Sequence, residues 1–159
     1  KQKTTLGLTV PELISKHGAI PGIKVDKGAK LLAGSSEETV TEGLDGLRER
    51  LKEYYDLGAR FTKWRAVYNI GEKYPSSQSI KSNAHALARY AALVQEAQMV
   101  PIVEPEVLMD GSHDIEKCYQ VTTNVLNECY NDNKCNIRNK IWYCAIIIWN
   151  MPSRLSSTP

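Results

Sequence analysis

Phenylalanine appears once in this chain of 159 residues, at Phe61, and glycine-rich phosphate loops of the GxGxxG or Walker type do not appear at all. Their absence weakens a nucleotide-binding reading, because such loops set backbone N–H groups around a phosphate at a helix start. The apolar stretch at 144–149 is far too short to cross a bilayer, which takes about 20 residues of helix. No secretory signal is visible, so a cytosolic, cytoplasmic location is the expectation. Lys and Arg number 20 against 18 Asp and Glu, for a formal charge of +2, with no basic block and no basic–aromatic alternation. Neither a nucleic-acid partner nor a membrane partner is therefore expected.

The four cysteines, Cys118, Cys129, Cys135 and Cys144, lack the paired CxxC spacing of a zinc site, and without a secretory signal a disulfide framework is not expected either. They are expected to be reduced thiols. His17 has no sequence partner that would make a metal site, and His85 and His113 read as surface or packing residues. No metal and no cofactor are expected. The chain opens on Lys1 without an initiating methionine, which leads to the expectation of a fragment or processed piece.

What the chain does contain is a regular alternation. A short helix is expected within residues 4–20, entered through Thr9, Val10, Pro11 and Glu12 and stopped at Gly18. A strand-like segment follows at Ile23, Lys24, Val25 and Asp26, then a loop through Gly34, Ser35 and Ser36. From Thr41 to residue 57 the spacing of Leu44, Leu47, Leu51 and Tyr54 puts one apolar face on a helix, with Gly58 as its cap. A strand is expected at 60–67, and a second long helix at 78–97 carries Ile80, Ala84, Leu87, Ala91 and Val94. Then come a β-branched strand at 100–108 and a third helix at 114–130, with Ile115, Cys118, Thr122, Val125 and Cys129 on one face. Strands recur around Lys24, Lys63 and Glu104, a spacing of roughly forty residues with one amphipathic helix between each pair, as in a parallel α/β architecture. Periodicity is common to an open doubly wound sheet and a (β/α) barrel, and both stay open at this level.

Each of the three strands carries ionisable residues two positions apart: Lys24 with Asp26, Lys63 with Arg65, and Glu104 with Glu106. Residues at i and i+2 share a face of a strand. A single such pair ordinarily marks a solvated face, but a parallel sheet covered by helices leaves little solvated surface along its strands. Three pairs on neighbouring strands therefore point to a site. Lys24 and Arg65 suit phosphate groups, the first as a point charge and the second as a planar fork. Lys63 is a candidate nucleophilic amine or proton carrier. Glu104 and Glu106 are a candidate acid–base pair, since crowded carboxylates tend to separate in pKa. The set points to carbon chemistry on a phosphorylated sugar or keto compound.

The stretches Gly22-Ile23-Lys24-Val25-Asp26-Lys27-Gly28, Gly43-Leu44-Asp45-Gly46-Leu47, Lys63-Trp64-Arg65, Leu87-Ala88-Arg89-Tyr90-Ala91 and Val100-Pro101-Ile102-Val103-Glu104-Pro105-Glu106 closely resemble class I fructose-bisphosphate aldolase over residues 18–126. The resemblance implies an α/β fold, a partial (β/α)8 TIM barrel holding the third to fifth strands. It implies metal-independent cleavage of fructose 1,6-bisphosphate to dihydroxyacetone phosphate and glyceraldehyde 3-phosphate through a lysine Schiff base, by an enzyme that is a homo-oligomer. Lys24 and Arg65 match positions that contact the sugar phosphate, and Lys63 matches a lysine that assists substrate binding and C–C cleavage. Glu104 matches the general acid–base residue, and Glu106 matches the carboxylate that orients its neighbours.

The departure lies in the tail. Setting Asn150-Met151 on the family's Leu-Lys-Pro-Asn-Met segment puts Ile148 where the Schiff-base lysine belongs, and no lysine follows Lys140. Residues 1–130 are expected to form an incomplete barrel domain and 131–159 an aberrant tail. A shifted reading frame near 127–140 with a chance stop after Pro159 is the expectation there, checked by sequencing the coding DNA. Three functions follow: an active aldolase using Lys63 as nucleophile, an inactive piece, or a non-catalytic phosphosugar-binding or protein-interaction piece. The second is favoured, with apolar parallel edges left open and a tendency to aggregate.

Overall fold

The computed structural model describes residues 3–5, 7–136 and 145–146. In chain order the elements are α1 (Val10–Lys16), β1 (Gly22–Lys24), β2 (Ala29–Leu31), β3 (Thr39–Thr41), α2 (Leu47–Asp56), β4 (Phe61–Tyr68), α3 (Ser77–Glu96), β5 (Val100–Val107), α4 (Ile115–Asn136) and β6 (Ala145–Ile146). Four strands form one parallel sheet in the order β1-β4-β5-β6, and β2 with β3 makes a separate antiparallel hairpin. Parallel strands alternating with helices make this an open arc of a (β/α) barrel. Among the described residues the sheet does not close on itself.

Strict alternation on β4 shows why the layer forms. Thr62, Trp64, Ala66 and Tyr68 are buried, while Phe61, Lys63, Arg65 and Val67 are half-buried on the opposite face. On β5 the residues Pro101, Val103, Pro105 and Val107 are buried, and Ile102, Glu104 and Glu106 alternate with them. Behind the sheet, α3 packs against both strands through Ile80, Ala84, Leu87, Ala91 and Val94, all 5% exposed or less. The core thus lies between β4–β5 and α3, flanked by Leu47 and Leu51 of α2 and by Val121 and Val125 of α4.

Several boundaries differ from the sequence reading. Helix α1 is only seven residues long. Thr9 and Glu12 form a reciprocal capping box at its start, and His17 with Gly18 at φ +75° ends it. Helix α2 begins at Leu47 rather than near Thr41, because Gly43 (φ +133°) and Gly46 (φ +62°) hold conformations no helix contains. Thr41 belongs instead to a hairpin that the sequence reading took for a loop. The hairpin is tied to α3 by Asn83, which is 1% exposed. The Asn83 Oδ1 accepts from the Thr41 N–H at 3.0 Å and its Nδ2 donates to the Thr39 carbonyl at 2.9 Å.

On α4 the buried residues are Cys118, Val121, Val125 and Cys129, whereas Ile115 is 53% exposed in the first turn. The helix continues six residues past Tyr130 to Asn136. Cys118 and Cys129 are buried and not joined in a disulfide, and burial pushes the Cys129 thiol up to about 12. His85 is exposed and His113 half-buried, in line with packing or surface roles. Strand β6 pairs beside β5 through Ile102 with Ala145 and Val103 with Ile146. Residues 137–144 and 147–159, including Ile148, Asn150 and Met151, lie outside the described residues, as does most of the expected aberrant tail.

Candidate active site

The three charged pairs meet on the sheet face that no helix covers among the described residues. Lys24 sits opposite Lys63 in the ladder, and Arg65 sits opposite Glu104. Cations on β4 reach diagonally to carboxylates two residues further along β5, within the span of long side chains. The Lys63 Nζ lies 2.9 Å from a Glu104 carboxylate oxygen. Arg65 pairs through Nε with Glu106, and Lys24 pairs with Asp26 on its own strand. The sequence reading put the six groups on one side provided that all three pairs faced the same way, and the fold brings Lys24, Asp26, Lys63, Arg65, Glu104 and Glu106 together.

Exposure divides these groups by function. Glu104 and Asp26 are each 2% exposed, while the side chains of Lys24, Lys63 and Arg65 are 54%, 39% and 42% exposed. The carboxylates are thus withdrawn into the sheet, and the cations stand up toward open space where an anion can reach them. Three cations and three carboxylates leave the cluster without net charge, so an anion there would meet local N–H donors rather than a positive field. The Lys63 ammonium approaches Glu104 off the hydrogen-bonding direction, leaving the Glu104 Oε2 buried without an aligned donor among the described residues. A withdrawn carboxylate with an open lone pair beside an ammonium is suited to taking and returning a proton.

Glu106 is held below the usual carboxylate range, first by its hydrogen bond from Arg65, with burial opposing. Arg65 is correspondingly raised by that bond and stays charged at any working pH. A depressed folded-state pKa gives stability that is present above the unfolded value, about 4.3 for Glu, and is lost as pH falls through the folded value. Stability is therefore expected to drop as pH is lowered below about 4, and Glu106→Gln is expected to flatten that part of the profile. Urea melts of both proteins between neutral pH and pH 3 are the check, and identical slopes would remove Glu106 from the account.

Two groups in this region were not singled out from the sequence as site residues. Asp26 accepts from backbone N–H groups of Gly28 and Arg65 at 3.0 and 3.3 Å, and the Thr41 hydroxyl donates to the Arg65 carbonyl at 2.8 Å. Asp26 had a signal, the i, i+2 pairing with Lys24. Thr41 had none, because its partner is 24 residues away. Among the described residues no group of three His, Cys, Asp or Glu side chains is placed to hold a metal ion, and no helix is long and apolar enough to cross a membrane.

A family model described as fructose-bisphosphate aldolase class-I matches residues 1–151. The probable fructose-bisphosphate aldolase class 1 of Xanthomonas axonopodis pv. citri is 65% identical over 130 residues, covering 82% of this chain and 39% of that one. The cytosolic fructose-bisphosphate aldolase 4 of Arabidopsis thaliana is 57% identical over 129 residues, covering 81% and 33%. Among solved structures, the Plasmodium falciparum fructose-bisphosphate aldolase in complex with TRAP and a small-molecule inhibitor aligns with a TM-score of 0.82 at 47% identity, covering 85% of this chain and 40% of that one. The chain spans two fifths or less of the length of these relatives. With the fold, the charged face and the sequence matches in agreement, the chain belongs to the class I fructose-bisphosphate aldolase family.

Proposed function

We propose that this chain carries the acid–base and phosphate-contacting part of a class I aldolase site, in an enzyme that reversibly cleaves fructose 1,6-bisphosphate into dihydroxyacetone phosphate and glyceraldehyde 3-phosphate. The observation that carries the reading is the Lys63–Glu104 contact on the uncovered face, flanked by Lys24 and Arg65, in a chain of this family. In an aldol cleavage the hydroxyl on the departing carbon gives up its proton while the electron pair of the breaking C–C bond moves toward an iminium formed on a lysine. Glu104 is the group that accepts and returns that proton. Lys63 keeps the carboxylate company and assists binding and bond cleavage, and Glu106 orients Arg65. Lys24 and Arg65 contact the sugar phosphate. The enzyme acts in the cytoplasm, as the naming of the cytosolic Arabidopsis relatives supports, and its complete form is a homo-oligomer with no nucleic-acid or membrane partner.

The chain by itself is read as inactive, since no lysine follows Lys140 in it and setting Asn150-Met151 on the family's Asn-Met puts Ile148 in the place of the Schiff-base lysine. Dihydroxyacetone phosphate with borohydride, followed by peptide mass spectrometry, is expected to leave every lysine unmodified. A reduced adduct on Lys63 would overturn this and make Lys63 a nucleophile.

A further inference from the structure

Strand β1 ends before the site does. Its last ladder bond is donated by the Val25 N–H to the Lys63 carbonyl at 3.1 Å. Two residues further along β4, the N–H and carbonyl of Arg65 point the same way and have no strand opposite them. Side chains take the place of the missing strand: Asp26 accepts from the Arg65 N–H at 3.3 Å, and the Thr41 hydroxyl donates to the Arg65 carbonyl at 2.8 Å. The other Asp26 oxygen accepts from the Gly28 N–H at 3.0 Å and from the Lys24 ammonium. Unlike the cations around it, Asp26 is nearly sealed, with 2% of its side chain exposed. The turn that places it is tight, for a Cβ on Gly43 would stand 3.2 Å from the Asp26 Cα and 2.9 Å from the Lys27 N.

One carboxylate therefore touches both phosphate candidates, Lys24 through its ammonium and Arg65 through its backbone. We propose that Asp26 is a positioning residue that holds these two cations in fixed relation, so that both address the same phosphate group. A loop-capping carboxylate would need only the Gly28 contact; the bonds to β4 and to Lys24 serve the site. The inference rests on the reading of Lys24 and Arg65 as phosphate contacts, and the test separates the two.

Inorganic phosphate is titrated into the full chain and followed by amide chemical shifts, for the wild type, Asp26→Asn, Lys24→Ala, Arg65→Ala and the Asp26→Asn/Lys24→Ala double variant. Asp26→Asn is expected to weaken phosphate binding about tenfold, the effect of losing one charge-assisted contact. The double variant is expected to bind worse than Lys24→Ala, but by clearly less than the tenfold of the single change, because with Lys24 gone Asp26 acts only through Arg65. Hydrogen exchange at the Arg65 amide is expected to quicken in Asp26→Asn. Should that variant unfold, Asp26→Glu carries the same test with the charge kept and displaced by one methylene. If Lys24→Ala and Arg65→Ala lose phosphate while Asp26→Asn keeps wild-type affinity and a slow Arg65 amide, the positioning role alone is overturned. If the wild type binds no phosphate, or neither cation variant is weakened, the phosphate reading falls and the positioning role with it.

Discussion

Trp64→Ala is expected to lower stability by about 3–5 kcal/mol, enough to leave a substantial fraction of the chain unfolded. Trp64 is 0% exposed at the middle of β4. Its ring lies 5.3 Å from that of Tyr90 on α3 at an interplanar angle of 34°, and Gly43 approaches it so closely that a Cβ there would stand 3.3 Å from the ring. Alanine empties the contact among strand, helix and hairpin together, and an open sheet has few ways to collapse around the void. Native domains are stable by only about 5–15 kcal/mol, and one whose sheet has unclosed edges among the described residues belongs at the low end. In urea, with a slope of about 1–3 kcal/mol per molar, the midpoint should fall by roughly 1–5 M. Trp64→Phe is the control, because the indole N–H has no partner among the described residues and phenylalanine keeps most of the ring. If the phenylalanine variant loses as much as the alanine variant, the loss lies in a polar contact and not in packing.

The second large effect concerns opposite signs at one ion pair. Lys63→Met is expected to destabilise by about 2–3 kcal/mol, since it strands the 2%-exposed carboxylate of Glu104. Removing one partner of a fully buried pair costs about 3–5 kcal/mol, and the figure is reduced here because the Lys63 side chain is 39% exposed and screened by solvent. Glu104→Gln is expected to be neutral or stabilising by about 1 kcal/mol, because it takes a charge out of a buried position. The double variant should recover most of the Lys63→Met loss. A double-mutant cycle in urea measures the coupling. A neutral Lys63→Met would mean that the carboxylate needs no cationic neighbour, and the case for an acid–base residue held by Lys63 would lose its footing. The expected pattern is a group kept at a cost to stability, as functional residues commonly are.

Much of this was legible in the chain because the signals were local. The three-four spacing of Ile80, Ala84, Leu87, Ala91 and Val94 placed α3 within a residue at each end. The i, i+2 pairing of ionisable residues put Lys24 with Asp26, Lys63 with Arg65 and Glu104 with Glu106, each pair on one face of its own strand, before any fold was known. Where the reading missed, the deciding contacts are distant in sequence. Thr39 and Thr41 form a hairpin strand because Asn83, more than forty residues away, satisfies their backbone groups. Ile115 fits the apolar pattern of α4, yet it lies in the first turn and is 53% exposed.

Alternation of residue types thus set the strands, the helices and the face that the two members of each charged pair share, because side-chain direction in a strand or helix is a property of the local backbone. Folding alone decided which charge meets which. The parallel register sets Lys63 two residues below Glu104 and Arg65 two residues below Glu106, so cations from β4 pair across to β5 and not with their own neighbours. Folding also decided that β1 stops short, which turns Asp26 from one member of a charged pair into the side chain that completes the edge of β4. Both outcomes depend on where one strand lies beside another, and the sequence of a single strand contains no record of its neighbour's register.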